Sequence, residues 1–197
     1  MSTLVTTTAQ IGTIKDAGGN ATSMTIDSSG VITHAAGFNN YATASAANST
    51  TIEPTLNGIP SWANEITVSF FDLSGAGSAD TMFRAAVGGT VVTSNYQYVG
   101  QYTQAAAHPT HSNRSAGNDG GFAFYGWTGA NNNFNGKVVF TKVTGSKYFV
   151  LGEHYNHQYP SYMIRFAGRV NFAGPISGIS LYNSSNFDAG DVRVVWR

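Results

Sequence analysis

The 197 residues fit one domain, or one domain and a short arm, and ten basic residues balance ten acidic ones, so the formal net charge is zero. Charged residues make up only 10% of the chain, against about 25% in an average soluble domain. That balance argues against long-range capture of a nucleic-acid backbone. The lack of cysteine excludes disulfides and thiolate metal sites, and no apolar run reaches the ~18 residues of a membrane span.

Residues 1–45 are predicted to form a short N-terminal arm. Met1–Gln10 lack the basic start and long apolar run of a secretory leader, so none is expected. Met24-Thr-Ile26 and Val31-Ile-Thr33 flank Asp27-Ser-Ser-Gly30, which predicts a small hairpin with glycine at its turn. A hairpin that small is not stable alone in water, so it is expected to pack on its own domain or on a sister subunit. Residues 46–64 read as a linker and a turn.

From Glu65 to Arg197 the pattern is that of strands. Ile66, Val68 and Phe70 alternate with Thr67, Ser69 and Phe71, a period of two. Phe83–Val87 and Val91–Tyr98 flank Gly88-Gly89 and predict a hairpin. Gly121–Trp127, Asn135–Thr144 and Tyr148–Tyr155 follow, the last two joined by a turn at Thr144-Gly-Ser146. Arg165–Asn171, Ile179–Tyr182 and Asp191–Arg197 complete the set, with Asp188-Ala-Gly-Asp191 read as a turn in preference to a calcium site. No amphipathic helix of ten residues is visible. Thr, Tyr and Phe suit pleated surfaces, while Gly and Asn suit turns. The expected fold is therefore all-β, an antiparallel β-sandwich of jelly-roll type.

Segment 99–120 shows no strand pattern and is long for a simple connection, which marks it as either functional or mobile. Its Tyr102, Asn113, Arg114, Asn118 and Asp119, with Tyr125, Trp127 and Asn132 from the next tip, are the candidate ligand-binding residues. Tyrosine and tryptophan offer a flat apolar face with a polar edge, and the amide, carboxylate and guanidinium groups pair with hydroxyls. Tyr96, Tyr98, Tyr155, Tyr159 and Tyr162 also fall near predicted strand ends, where core and interface roles compete with binding.

The remaining chemistry is sparse. His108-Pro-Thr-His111 and His154-Tyr-Asn-His157 carry ligand-type groups, but three-residue spacing on a strand points two side chains to opposite faces. They are read as polar loop histidines, and no metal is expected unless His154 and His157 of several subunits meet on an axis. Asp72, Asp80, Asp119 and Glu153 are scattered and form no carboxylate pair of the glycosidase kind. No nucleophile elbow or phosphate loop is present. No enzyme activity and no cofactor are expected.

Ile14–Thr33 resembles the leading segment of bacteriophage tail-fibre and other virion appendage proteins. Asn186–Trp196, with its Phe-Asp-Ala-Gly run, resembles the closing strand of their C-terminal β-sandwich domain, and Ile59–Phe70 resembles its first strand. Membership would imply a non-enzymatic virion structural protein, assembled in the host cytoplasm. Its partners would be itself as a homotrimer, other virion proteins and a host surface glycan, with no nucleic acid and no membrane insertion. The chain carries no long shaft, so a compact trimeric knob on tail or head is the first expectation. A capsid decoration protein without ligand is the alternative, and a polysaccharide-degrading enzyme the third.

Overall fold

The computed structural model describes residues 13–15, 22–26, 32–33, 40–77, 80–104, 112–124, 133–156 and 162–197. For the first three stretches, and for Tyr102, Gln104, 112–119, Phe124 and Tyr162, it describes the backbone alone. Every described element is a strand. The chain divides into two compact units, Met1–Asn39 and Asn40–Arg197.

The first unit holds a three-stranded antiparallel sheet of β1 (Thr13–Lys15), β2 (Thr22–Ile26) and β3 (Ile32–Thr33). The hairpin read from the sequence is β2–β3, with Ile26 opposite Ile32 and Thr25 opposite Thr33.

The second unit is a twelve-stranded antiparallel sheet that curls onto itself. Its strands are β4 (Tyr41–Ser45), β5 (Ser49–Thr55), β6 (Glu65–Gly75), β7 (Thr81–Val87), β8 (Thr90–Val91) and β9 (Tyr96–Gln104). They continue as β10 (Ser112–Asp119), β11 (Phe122–Phe124), β12 (Phe134–Thr144), β13 (Lys147–Asn156), β14 (Tyr162–Asn171) and β15 (Gly178–Trp196). The main path runs β10-β9-β14-β13-β12-β6-β15-β7-β11.

β15 joins the two layers. Its first half pairs with β7 on one side and β5 on the other, through Ile179 and Leu181. Its second half pairs with β6 and β4, through Asp191–Val195. Between the halves the register shifts twice, at Phe187/Ala189 and Ala189/Asp191. Gly190 sits there at φ +113°, and a side chain on it would run into the Leu73 backbone. Only glycine fits that bulge, and bulges of this kind bend a strand and raise its twist.

Aromatic contacts show that the layers face each other. Phe122 of β11 stacks on Phe166 of β14 with centroids 5.3 Å apart and meets Phe140 of β12 edge-on at 5.9 Å. Phe83 of β7 lies 5.2 Å from Phe70 of β6. The inward set Ile66, Val68, Val138, Phe140, Val150, Leu181 and Val194 is buried, as the period-two pattern requires. Three tyrosines of the longer sheet reach across. The hydroxyls of Tyr96, Tyr98 and Tyr148 accept hydrogen bonds from the backbone N–H groups of Ala85, Ala123 and Ile176 at 2.8, 3.3 and 3.1 Å. Tyr96 and Tyr98, placed near strand ends in the sequence reading, are thus core residues that satisfy the facing layer.

Four expectations change. Segment 46–64, read as linker, contains β5, and 41–45, read as arm, is β4; both lie along β15. Their sequences are nearly free of large apolar residues because each is an edge strand that contributes little to the core, chiefly Ile52. Pro54 is tolerated at such an edge. Segment 99–120 carries most of β9 and all of β10. The closing turn at Asp188–Asp191 is the bulge of one 19-residue strand.

Candidate functional site

Eight strands, β4-β15-β6-β12-β13-β14-β9-β10, form one continuous sheet whose outer side faces solvent. Register places its outward side chains in rows. One row crosses seven strands as Tyr41, Val195, Thr67, Val139, Leu151, Ala167 and Val99. It is an apolar band left in water, with Leu151 50% and Val99 55% exposed. The next row is polar and runs Thr43, Arg193, Ser69, Lys137, Glu153, Arg165 and Gln101. Here Glu153 bridges Lys137 at 3.4 Å and Arg165 at 3.8 Å.

On the other side of the band runs the row Glu65, Thr141, Phe149, Arg169 and Gln97. Glu65 is held by Arg197 at 2.8 Å, and the Arg169 Nε donates to Gln97 Oε1 at 2.8 Å. Beyond it Lys147 stands opposite Asn171. From these rows Phe149, Arg169, Gln97, Lys147 and Asn171, with Asn95 and Val143, wall a groove of about 770 Å³ over Tyr148 and Val170. A second, smaller groove of about 510 Å³ lies at the β4–β15–β6 edge, beside Thr43, Ser45, Phe71, Asp191 and Arg193. There the Ser45 hydroxyl donates to Asp191 at 2.5 Å, and the Arg193 guanidinium lies 4.7 Å from the Tyr41 ring centre.

The outer face is more basic than the chain. Lys137, Lys147, Arg165, Arg169, Arg193 and Arg197 stand on it, six of the ten basic residues, against Glu65, Glu153 and Asp191. Zero net charge over the whole sequence conceals this division.

The residues singled out from the sequence are placed as follows. Tyr102 is on β9, and Asn113, Arg114, Asn118 and Asp119 are on β10. Tyr102, Asn113 and Arg114 lie toward one end of that hairpin, where Ser112 pairs with Tyr102. Asn118 and Asp119 lie at its opposite end, where Asp119 pairs with Tyr96. Tyr125, Trp127, Asn132, Tyr159, His108, His111 and His157 lie outside the described residues. Five of the six strand ends that flank these segments come together. Asn156 pairs with both Phe134 and Tyr162, Tyr162 pairs with Gln104, and Gln104 lies near Ser112 at the same end of the β9–β10 pair.

His154 faces the interior and is 3% exposed. The rings of Phe134 and Phe70 meet it edge-on at 5.0 and 6.3 Å. Burial lowers its pKa to about 3, so it is neutral in the native protein. Its environment is aromatic, and no group of three or more His, Cys, Asp or Glu side chains able to hold a metal ion occurs among the described residues. Asp188 accepts a hydrogen bond from the Ser74 hydroxyl at the β15 bulge.

Sequence reasoning missed the Phe149–Arg169–Gln97 row. These residues are far apart in the chain and meet only through strand register. The legible signal was the alternation in β13 and β14, which turns Phe149 and Arg169 outward once Val150 and Val170 are placed inward.

The chain matches no protein-family model, no curated protein and no solved structure.

Proposed function

We propose that this chain is a non-catalytic structural protein of a bacteriophage virion. In this reading it is a small knob of jelly-roll type, assembled as a homotrimer on tail or head, that binds a host surface glycan. The observation that carries the proposal is the outer face of the eight-strand sheet, where flat apolar groups, amides and guanidinium groups stand in ordered rows in solvent. Sugar rings have apolar faces and hydroxyl edges, and such a surface answers both. The strand ends at Gln104, Ser112, Phe134, Asn156 and Tyr162 gather at one end of the sheet, close to the backbone of Tyr102, Asn113 and Arg114; Tyr125, Trp127 and Asn132 join this reading from their residue types alone. The resemblance of Ile14–Thr33, Ile59–Phe70 and Asn186–Trp196 to virion appendage proteins supplies the virion setting.

Adsorption of the fluorescently labelled full chain to host cells tests the reading, with light scattering to give its oligomeric mass. A trimer that adsorbs, and whose adsorption falls in Trp127→Ala or Arg114→Ala, is the expected result. A monomer that adsorbs to no bacterial surface overturns it.

The apolar band favours a second reading, the capsid decoration protein, because aliphatic side chains such as Val99 and Leu151 are more commonly covered by protein than left in water. Under that reading virions lacking the protein lose heat stability while adsorption is unchanged.

A further inference from the structure

We propose that the groove over β12, β13, β14 and the start of β9 is a subsite for an acidic sugar, a pyranose that carries a carboxylate. The inference deepens the glycan-attachment reading and rests on it for its biological setting.

Charge selects the ligand class. Lys147 and Arg169 both line the groove, and neither is paired with a carboxylate among the described residues. The acidic groups nearest in the outward rows are already engaged, Glu65 by Arg197 and Glu153 by Lys137 and Arg165. No carboxylate lines the groove itself among the described residues. The positive charge there is therefore locally uncompensated, in a protein whose formal net charge is zero.

Geometry selects a sugar over a bare anion. Phe149 pairs directly with Arg169 across the strands, and Arg169 pairs with Gln97, so ring, guanidinium and amide lie side by side on one face. Phe149 is 44% exposed and offers a ring surface to the positively polarised C–H face of a pyranose. The Gln97 amide oxygen takes the Arg169 Nε–H at 2.8 Å, which fixes the guanidinium and leaves its terminal N–H groups for a carboxylate. Lys147 lies diagonally from Arg169, one pleat further along β13. Diagonal neighbours on a sheet are about 7–8 Å apart at the backbone, a span that long side chains close. Asn171 and Asn95 stand at the same rim with donors and acceptors for ring hydroxyls. The ring is held by Phe149 and the acid by the two cations.

The test is an NMR titration of the isotope-labelled full chain with trigalacturonate, with its fully methyl-esterified and thus neutral form, and with inorganic sulfate. Trigalacturonate is expected to shift the amides of Phe149, Arg169 and Asn171 and to bind about tenfold tighter than the ester, the effect of one charge-assisted contact. Arg169→Gln and Lys147→Gln are each expected to weaken the acid form severalfold and leave the ester unchanged. Phe149→Ala is expected to weaken both. All three side chains are exposed, and unchanged thermal unfolding shows that the variants fold. Equal affinity for acid and ester, shifts confined to another surface, or sulfate binding as tightly as trigalacturonate each overturns the proposal. The two readings separate cleanly. Adsorption to cells that survives Arg169→Gln and Lys147→Gln together removes the acidic-sugar subsite and keeps the attachment reading. Trigalacturonate binding by a chain that adsorbs to no cell keeps the subsite and removes the attachment reading.

Discussion

Phe166 of β14 lies directly across from Gly152 of β13, and its ring fills the space that a side chain at 152 would need. On its other side Phe166 pairs with Gly100 of β9. The ring thus lies over Gly152, with only the Phe166 Cβ near Gly100, and stacks against Phe122 of the facing layer. The same device recurs one step along, where a side chain on Gly168 would meet the Phe122 ring.

Gly152→Ala is therefore expected to destabilise the fold, although alanine normally suits a strand better than glycine. The added methyl group displaces the Phe166 ring from a packed core, at a cost of about 1–3 kcal/mol. Urea unfolding checks this, and a variant as stable as the parent would show that the ring moves freely.

Tyr96→Phe isolates one inter-layer hydrogen bond pair. The Tyr96 hydroxyl accepts from the Ala85 N–H at 2.8 Å and donates to the Val92 carbonyl at 3.0 Å. Burial raises its pKa to about 12, against the smaller opposing effects of the Ala85 hydrogen bond and Arg84, so it remains a neutral hydroxyl at ordinary pH. Removing it leaves a buried N–H unsatisfied, a loss of about 1–3 kcal/mol. Faster hydrogen exchange at the Ala85 amide, beyond the general acceleration that the lost stability gives the other strands, is the expected signature.

His154 makes stability depend on pH. The native side chain is neutral down to about pH 3, whereas the unfolded chain takes up a proton near the ordinary value of 6.5. Between these values the unfolded state binds more protons, so stability rises with pH there. The contribution is complete above about 6.5 and is lost progressively as pH falls toward 3, by up to about 1.4 kcal/mol per pH unit. Unfolding midpoints measured from pH 7 to 5, above most carboxylate titration, are expected to fall for the parent and to stay nearly flat for His154→Gln. Parallel slopes would assign the effect to other groups.

Leu151→Thr and Val99→Thr test the apolar band. Both side chains point outward, on β13 and β9 with β14 between them, so each change is expected to alter unfolding free energy by no more than about 0.5 kcal/mol. Under the decoration reading the double variant loses incorporation into virions while its unfolding is unchanged. Under the attachment reading incorporation persists.

The fold was legible wherever one face of a strand is buried and the other is not. β6 declares itself through Ile66, Val68 and Phe70, and β12 and β13 through apolar runs joined at Gly145, whose φ of +53° suits the turn. β4 and β5 were illegible because edge strands draw their hydrogen bonds from β15 and need few apolar side chains of their own. β10 was illegible for a related reason. Ser112–Asp119 carries no large apolar residue, and what defines it is pairing with β9, not periodicity. Phe187-Asp-Ala-Gly190 looks like a turn locally, and only the pairing of residues on both sides of it makes it the middle of one strand. Of the candidate site, residue types were readable and neighbourhoods were not. Phe149, Arg169 and Gln97 become one surface through two register choices that no local window contains.

Because β15 belongs to both layers, neither layer possesses a complete set of hydrogen-bond partners without it. Peeling away either half exposes the strand that its other half secures, so the second unit has no natural seam along which to come apart in stages. Its amides are expected to exchange at a common, slowest rate, set by global opening. That arrangement makes a single spine responsible for the mechanical integrity of the second unit.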